Sequence, residues 1–161
     1  MNPTSVPAWS AAWMWGLPLV VGTVVFHSWG LAVVDHAVSF LLNRNREDYG
    51  RYLQSMTIMG GTALCATLLH GIEAMLWAVV YRQLGALPDK KTAVLYSLNA
   101  LTSYGHTDLN LSGHWQLMGA LEALDGWIVF GLTTAFLFTV IQRLWPRIQL
   151  PLARDPQLPL F

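Results

Sequence analysis

Three mainly apolar stretches, at about 17–42, 53–81 and 115–145, dominate this chain. Each exceeds the roughly 20 residues that a helix needs to cross a bilayer. Charged residues make up only 11% of the sequence, against about a quarter in an ordinary soluble domain. The expectation is an all-α membrane protein with three transmembrane helices. The first stretch opens behind Trp9, Trp13 and Trp15, as an interfacial aromatic belt does, and Gly16-Leu17-Pro18 places a helix start near Pro18. The second closes on Trp77 and Tyr81. The third would be roughly 45 Å long as a helix, so it tilts or protrudes.

No Lys or Arg precedes Arg44. The basic head of a secretory leader is missing, and the first stretch reads as a retained anchor. Arg44, Arg46 and Arg51 fill the first connection, and Arg143, Arg147 and Arg154 stand at and beyond the exit of the third stretch. Between stretches two and three stand only Arg82, Lys90 and Lys91. This bias puts the C-terminus in the cytoplasm and the N-terminus outside, in a multi-pass protein of the inner (plasma) membrane. A formal net charge of +0 without a basic block argues against nucleic acid as a partner. The single Cys65 excludes an intrachain disulfide and reads as a small core residue.

The segment 82–114 is too long for a simple connection and too short for a domain. Gly85-Ala86-Leu87-Pro88-Asp89 is a turn. Residues 93–101 have the length of about two and a half helical turns, and Ser103 to Asp108 form a polar Gly-containing turn. A half-apolar short helix followed by a polar turn between two spans reads as a re-entrant pore loop. Irregular backbone at membrane depth requires protein or a water-filled cavity around it. An extracellular loop with a surface helix is the plainer alternative.

Residues 70–141 resemble the two-helix pore module of bacterial ion channels of the potassium-channel superfamily. His70, Trp77-Ala78 and Tyr81 match its outer helix, and Ala93 to Ser97 match the start of its pore helix. Asp108 and Trp115 keep the separation of the filter aspartate and its following tryptophan. Glu122-Ala123-Leu124-Asp125-Gly126 and Gly131-Leu132-Thr133-Thr134-Ala135-Phe136-Leu137 match the inner helix. The resemblance implies a homotetrameric cation channel, not an enzyme, with Ser103, Tyr104, Gly105, His106, Thr107 and Asp108 as the filter. Thr102, Glu122, Asp125, Gly126, Gly131, Thr133 and Thr134 would line or support the pore. It implies no cofactor beyond the permeant monovalent cation, potassium or sodium.

The filter departs from the potassium pattern. Thr-Val-Gly-Tyr-Gly lines a path with backbone carbonyls that replace the ion's water shell. Here Ser103-Tyr104-Gly105-His106-Thr107 occupies those positions. Thr107 replaces the second glycine, and a β-branched residue resists positive φ. Gly-x-Thr is similar to the filter of cyclic-nucleotide-gated channels, which separate monovalent cations poorly. His106, with an ordinary pKa near ~6.5, reads either as an acid-sensitive constriction or as a plain hydrogen-bonding imidazole.

The remaining ionisable residues have plainer readings. His70 and Glu73 share a helix face, as do Glu122 and Asp125. A His-x-x-Glu pair is one part of a carboxylate-bridged metal site, which needs two such pairs; it occurs once, so no metal is expected. Glu122 is expected in an inter-helix hydrogen bond or snorkelling at the interface, and Asp125 against His70 or the pore loop. His27 reads as an inter-helix hydrogen bonder, and Asp35-His36 as partners of Arg44 or Arg46. Gly126 and Gly131 read as close-packing positions or gating hinges. No Gly-rich phosphate loop, nucleophile elbow or HExxH pattern occurs.

The chain thus divides into an N-terminal segment at 1–16, a first span with its cytoplasmic loop at 17–52, a pore module at 53–145 and a Pro-rich tail at 146–161. The rival readings are a non-conducting membrane adaptor and a haem or metal redox protein built on the span histidines.

Overall fold

The computed structural model describes residues 5–43, 48–105, 109–113 and 115–149. All regular structure there is helical: α1 Ser5–Leu42, α2 Asp48–Gln83, α3 Lys90–Leu101 and α4 Gln116–Gln149. Three of them, α1, α2 and α4, are long and apolar enough to cross a membrane. They point to a multi-pass membrane protein.

The long helices outrun their sequence boundaries. α1 begins at Ser5 and carries Pro18 inside it, where a start had been expected; α4 runs through Pro146 to Gln149, into the expected tail. Proline is tolerated inside such helices because neighbouring groups re-satisfy the carbonyl it frees. The hydroxyls of Thr23, Ser28, Ser55, Thr57, Thr62, Thr67, Thr134 and Thr139 donate to carbonyls four residues earlier. That internal bonding lets a polar side chain sit on a helix in lipid.

Two cores hold the bundle. One gathers Ala12, Trp77, Tyr81, Leu87, Tyr96, Met118 and Leu121 around α3; the other joins Val38, Ile58, Val140 and Leu144 at the opposite end. The contacts fix direction. Leu121 fills the space beside Gly16, Arg143 pairs with Asp35 at 2.7 Å, and Arg147 donates to the Leu42 carbonyl at 2.7 Å, so α1 and α4 run parallel. Arg147 satisfies a carbonyl at the end of α1, where a cation also suits the helix dipole. Tyr81–Glu122 and His70–Thr133 contacts make α2 antiparallel to α4. Val21, Val25, Trp29, Leu64, Leu68, Trp127, Phe130 and Phe138 remain exposed, an outward apolar surface suited to lipid or another subunit. Cys65 lies on this outer surface, not in the core, because its neighbour Ala66 takes the inward position.

α3 is built differently. Arg82 donates to the carbonyls of Leu87 and Pro88, at 2.9 and 2.7 Å, and folds the turn after α2. Asp89 caps α3, accepting from the Thr92 backbone N–H at 2.9 Å and its hydroxyl at 2.6 Å. The helix ends by a bonding pattern that needs a left-handed residue just beyond the cap. Ser103 N–H donates to the Ala100 carbonyl and Tyr104 N–H to the Asn99 carbonyl, each at 3.0 Å. Ser103 supplies that residue, with φ 53°.

Candidate functional site

Two glycines of α4 admit α3. Any side chain at Gly119 would strike the Tyr96 hydroxyl, and any side chain at Gly126 would strike the Leu101 backbone carbonyl. Residue numbers rise together along both helices, so α3 runs parallel to α4. Gly126 lies ten residues past Gln116, which places the end of α3 about 15 Å along α4. α4 has 34 residues and is about 51 Å long, so α3 ends within its first third. Of the expected pore residues, Gly126 therefore packs against backbone, while Gly131 faces open space.

Beyond α3 the backbone turns out of helical geometry. Thr102, Ser103, Tyr104 and Gly105 are exposed on the single chain, Tyr104 to 85%. Gly105 has φ +92°, a conformation that side-chain-bearing residues rarely adopt. Thr67, His70, Leu98, Leu101, Thr102, Ser103, Gly126, Trp127 and Phe130 line a cavity of about 420 Å³ beside this turn. His106, Thr107 and Asp108 lie outside the described residues, as do Arg44, Arg46 and Arg154.

Behind α3 runs a line of buried polar side chains. Glu122 of α4 accepts from the Tyr81 hydroxyl of α2 at 2.7 Å and also contacts the Ser97 hydroxyl of α3. Ser97 further donates to the Ala74 carbonyl at 2.7 Å. This is the inter-helix role expected of Glu122, and it ties three helices at one level. Ser97 has one hydrogen and faces two acceptors, so both contacts hold together only when Glu122 carries a proton.

One turn deeper, Asp125 accepts from the Trp77 indole N–H at 3.1 Å, with the Thr23 hydroxyl of α1 also against it. The expected pairing of Asp125 with His70 is absent: the Trp77 donor, about two α2 turns away from His70, stands level with the carboxylate and takes it. Deeper still, His27 Nδ1 meets Glu73 Oε1 at 2.7 Å and His27 Nε2 meets Thr133 Oγ1 at 2.8 Å. His70 joins from α2, with Nε2 3.1 Å from the same Thr133 oxygen and Nδ1 3.3 Å from Glu73 Oε2. Thr133, expected on the conduit, is turned into the subunit by these imidazoles, whereas Thr134 is exposed. Asp35 pairs with Arg143 from α4; its expected partners Arg44 and Arg46 lie outside the described residues.

Sequence reasoning paired His70 with Glu73 on one helix face but treated His27 apart, because it sits on a different helix. A periodic signal was present. Glu122, Asp125, Val129 and Thr133 recur at three- and four-residue steps on α4, as Tyr81, Trp77, Glu73 and His70 do on α2. Each set occupies one inward stripe.

No family model matches this chain, and no curated protein or solved structure matches it.

Proposed function

We propose that this chain is a subunit of a homotetrameric cation channel, passing monovalent cations through a re-entrant loop formed by α3 and residues 102–108. The observation that carries this reading is the Leu101–Gly126 contact. It puts the end of a short helix, and the non-helical turn after it, about 15 Å along a membrane-length helix. With the start of α4 at the membrane surface, backbone exposed at that depth is stable only against other protein or water. One chain leaves Ser103, Tyr104 and Gly105 uncovered; copies around a shared axis would cover them and enclose a path. The C-terminal, negative end of the α3 dipole faces the same turn and favours a cation there. The likeness of residues 70–141 to a channel pore module supports the same reading.

In this mechanism α4 lines the conduit and backbone carbonyls of the 103–107 turn take the place of the ion's water. The loss of a second glycine, at Thr107, favours weak discrimination between potassium and sodium. Asp108 would concentrate cations at the mouth. The Arg-rich end, with the C-terminus, faces the cytoplasm of the inner (plasma) membrane.

Flux from proteoliposomes tests this reading. Purified protein loaded with potassium is expected to release it on addition of a counter-ion carrier, and Gly105→Ala to release little while remaining tetrameric. Tetramers silent under every monovalent gradient would overturn it in favour of the non-conducting adaptor.

A further inference from the structure

We propose that His27, His70 and Glu73 bind one divalent transition-metal ion of the zinc class, linking α1 to α2 inside the bundle. This does not depend on the channel reading. The ligand-capable atoms of the three residues lie within 4.8 Å of one another. A zinc ion holds nitrogen and oxygen donors at about 2.0–2.2 Å, so any two are at most about 4.2 Å apart. Side-chain adjustment of about half an ångström closes the set. Two imidazoles and a carboxylate suit zinc and its neighbours better than calcium or magnesium.

Hydrogen counting favours a cation at this point. Both Nε2 atoms face the one Thr133 oxygen, at 2.8 and 3.1 Å. Thr133 has one hydrogen, so with both rings neutral at least one Nε2 must donate to it, and that ring's Nδ1 then presents a lone pair toward the Glu73 carboxylate. A bare imidazole nitrogen against a carboxylate in a dry bundle is unfavourable unless positive charge sits between them. The arrangement also supplies what a ligating histidine needs, a hydrogen-bond acceptor for its other ring nitrogen. Here Thr133 serves both rings.

Two further observations point to an ion. Glu73 is fully buried, and its Oε2 has the His70 Nδ1 at 3.3 Å and no better-placed donor among the described residues. Asp125, also fully buried, carries an Oδ1 without a hydrogen-bond partner among the described residues and interacts electrostatically with Glu73 and His27. An entry path exists because His70, 26% exposed at its side chain, lines the cavity beside α3. Binding would displace the hydrogen between His27 and Glu73 and release protons, so it should weaken in acid.

Full-length protein without a histidine tag, held in lipid nanodiscs and stripped by chelator, is titrated with Co²⁺ as the spectroscopic substitute for zinc. The expected result is a visible d–d band saturating at one ion per chain, displaced by Zn²⁺ and accompanied by a higher melting midpoint. His27→Gln and Glu73→Gln should abolish the band, and His36→Gln, an exposed α1 position, should retain it. His70→Gln guards against misfolding, since the His27–Glu73 and His27–Thr133 bonds survive in it; it should elute like the wild type and lose the band. Folded wild-type protein that takes up no Co²⁺, or an undiminished band in folded His70→Gln, overturns the proposal. The first outcome would assign the positive charge to a shared proton.

Discussion

The Leu101 carbonyl occupies the space that a side chain on Gly126 would need. The obstruction is backbone, not the movable end of a side chain, so relief requires α3 itself to shift. Gly126→Ala should therefore displace α3 from α4, lowering both the melting midpoint and ion flux. Gly131→Ala, at a position facing open space, should change neither. Circular-dichroism melts and proteoliposome flux on the two variants check this; a loss of flux in Gly131→Ala with Gly126→Ala intact would favour the hinge reading.

The Glu122 cluster predicts a split between two substitutions. Glu122→Gln keeps a neutral group able to accept from Tyr81 and donate to Ser97, and should melt close to wild type. Glu122→Ala strands the Tyr81 hydroxyl in a buried site, at about 1–3 kcal/mol, while Ser97 keeps its bond to the Ala74 carbonyl. Thermal melts in detergent separate them, and equal losses in both variants would contradict the arrangement.

Ser103 and Gly105 both have positive φ, yet only one is glycine. Ser103→Gly should relieve a left-handed conformation that disfavours side-chain-bearing residues by about 1–2 kcal/mol. Gly105→Ala should impose a comparable cost. Hydrogen exchange at the end of α3 should slow in the first variant and quicken in the 103–105 turn of the second.

Asp89 gives a pH dependence. The hydrogen bonds from the Thr92 side chain and backbone hold its carboxyl below the usual range. A lowered folded-state value means the carboxylate's contribution is fully present above the unfolded value of about 3.9 and is lost as pH falls through the lower folded value. Exchange of the first-turn amides of α3, compared between wild type and Asp89→Ala, should show a protection difference at neutral pH that begins to shrink near about pH 4 and is lost at lower pH. A difference independent of pH would contradict the capping assignment.

Much of the fold could be read in one dimension. The three spans follow from apolar length, and α3 from the turn at 85–89 and the apolar half-turns after it. Helix ends were misplaced where proline was taken to end a helix that lipid and neighbouring helices sustain. The polar line was less legible, because its pairs join residues such as His27 and Glu73 or His27 and Thr133 across different helices. Asp125 shows the difficulty: its partner depended on whether Trp77 or His70 stood level with it. That is a matter of helix register, which charge and spacing alone do not fix. Thr133 shows it again, since Thr133 and Thr134 look equivalent in sequence and face opposite ways in the fold.

The claim on which the account rests is that the turn after α3 meets its counterparts on a common axis. The most direct measurement is a cryo-electron microscopy structure of the assembled protein in a lipid disc. Four subunits with every Gly105 around the central axis, at the depth of Gly126, are predicted. Assemblies in which Gly105 faces lipid or the outer solution, away from any axis, would contradict it.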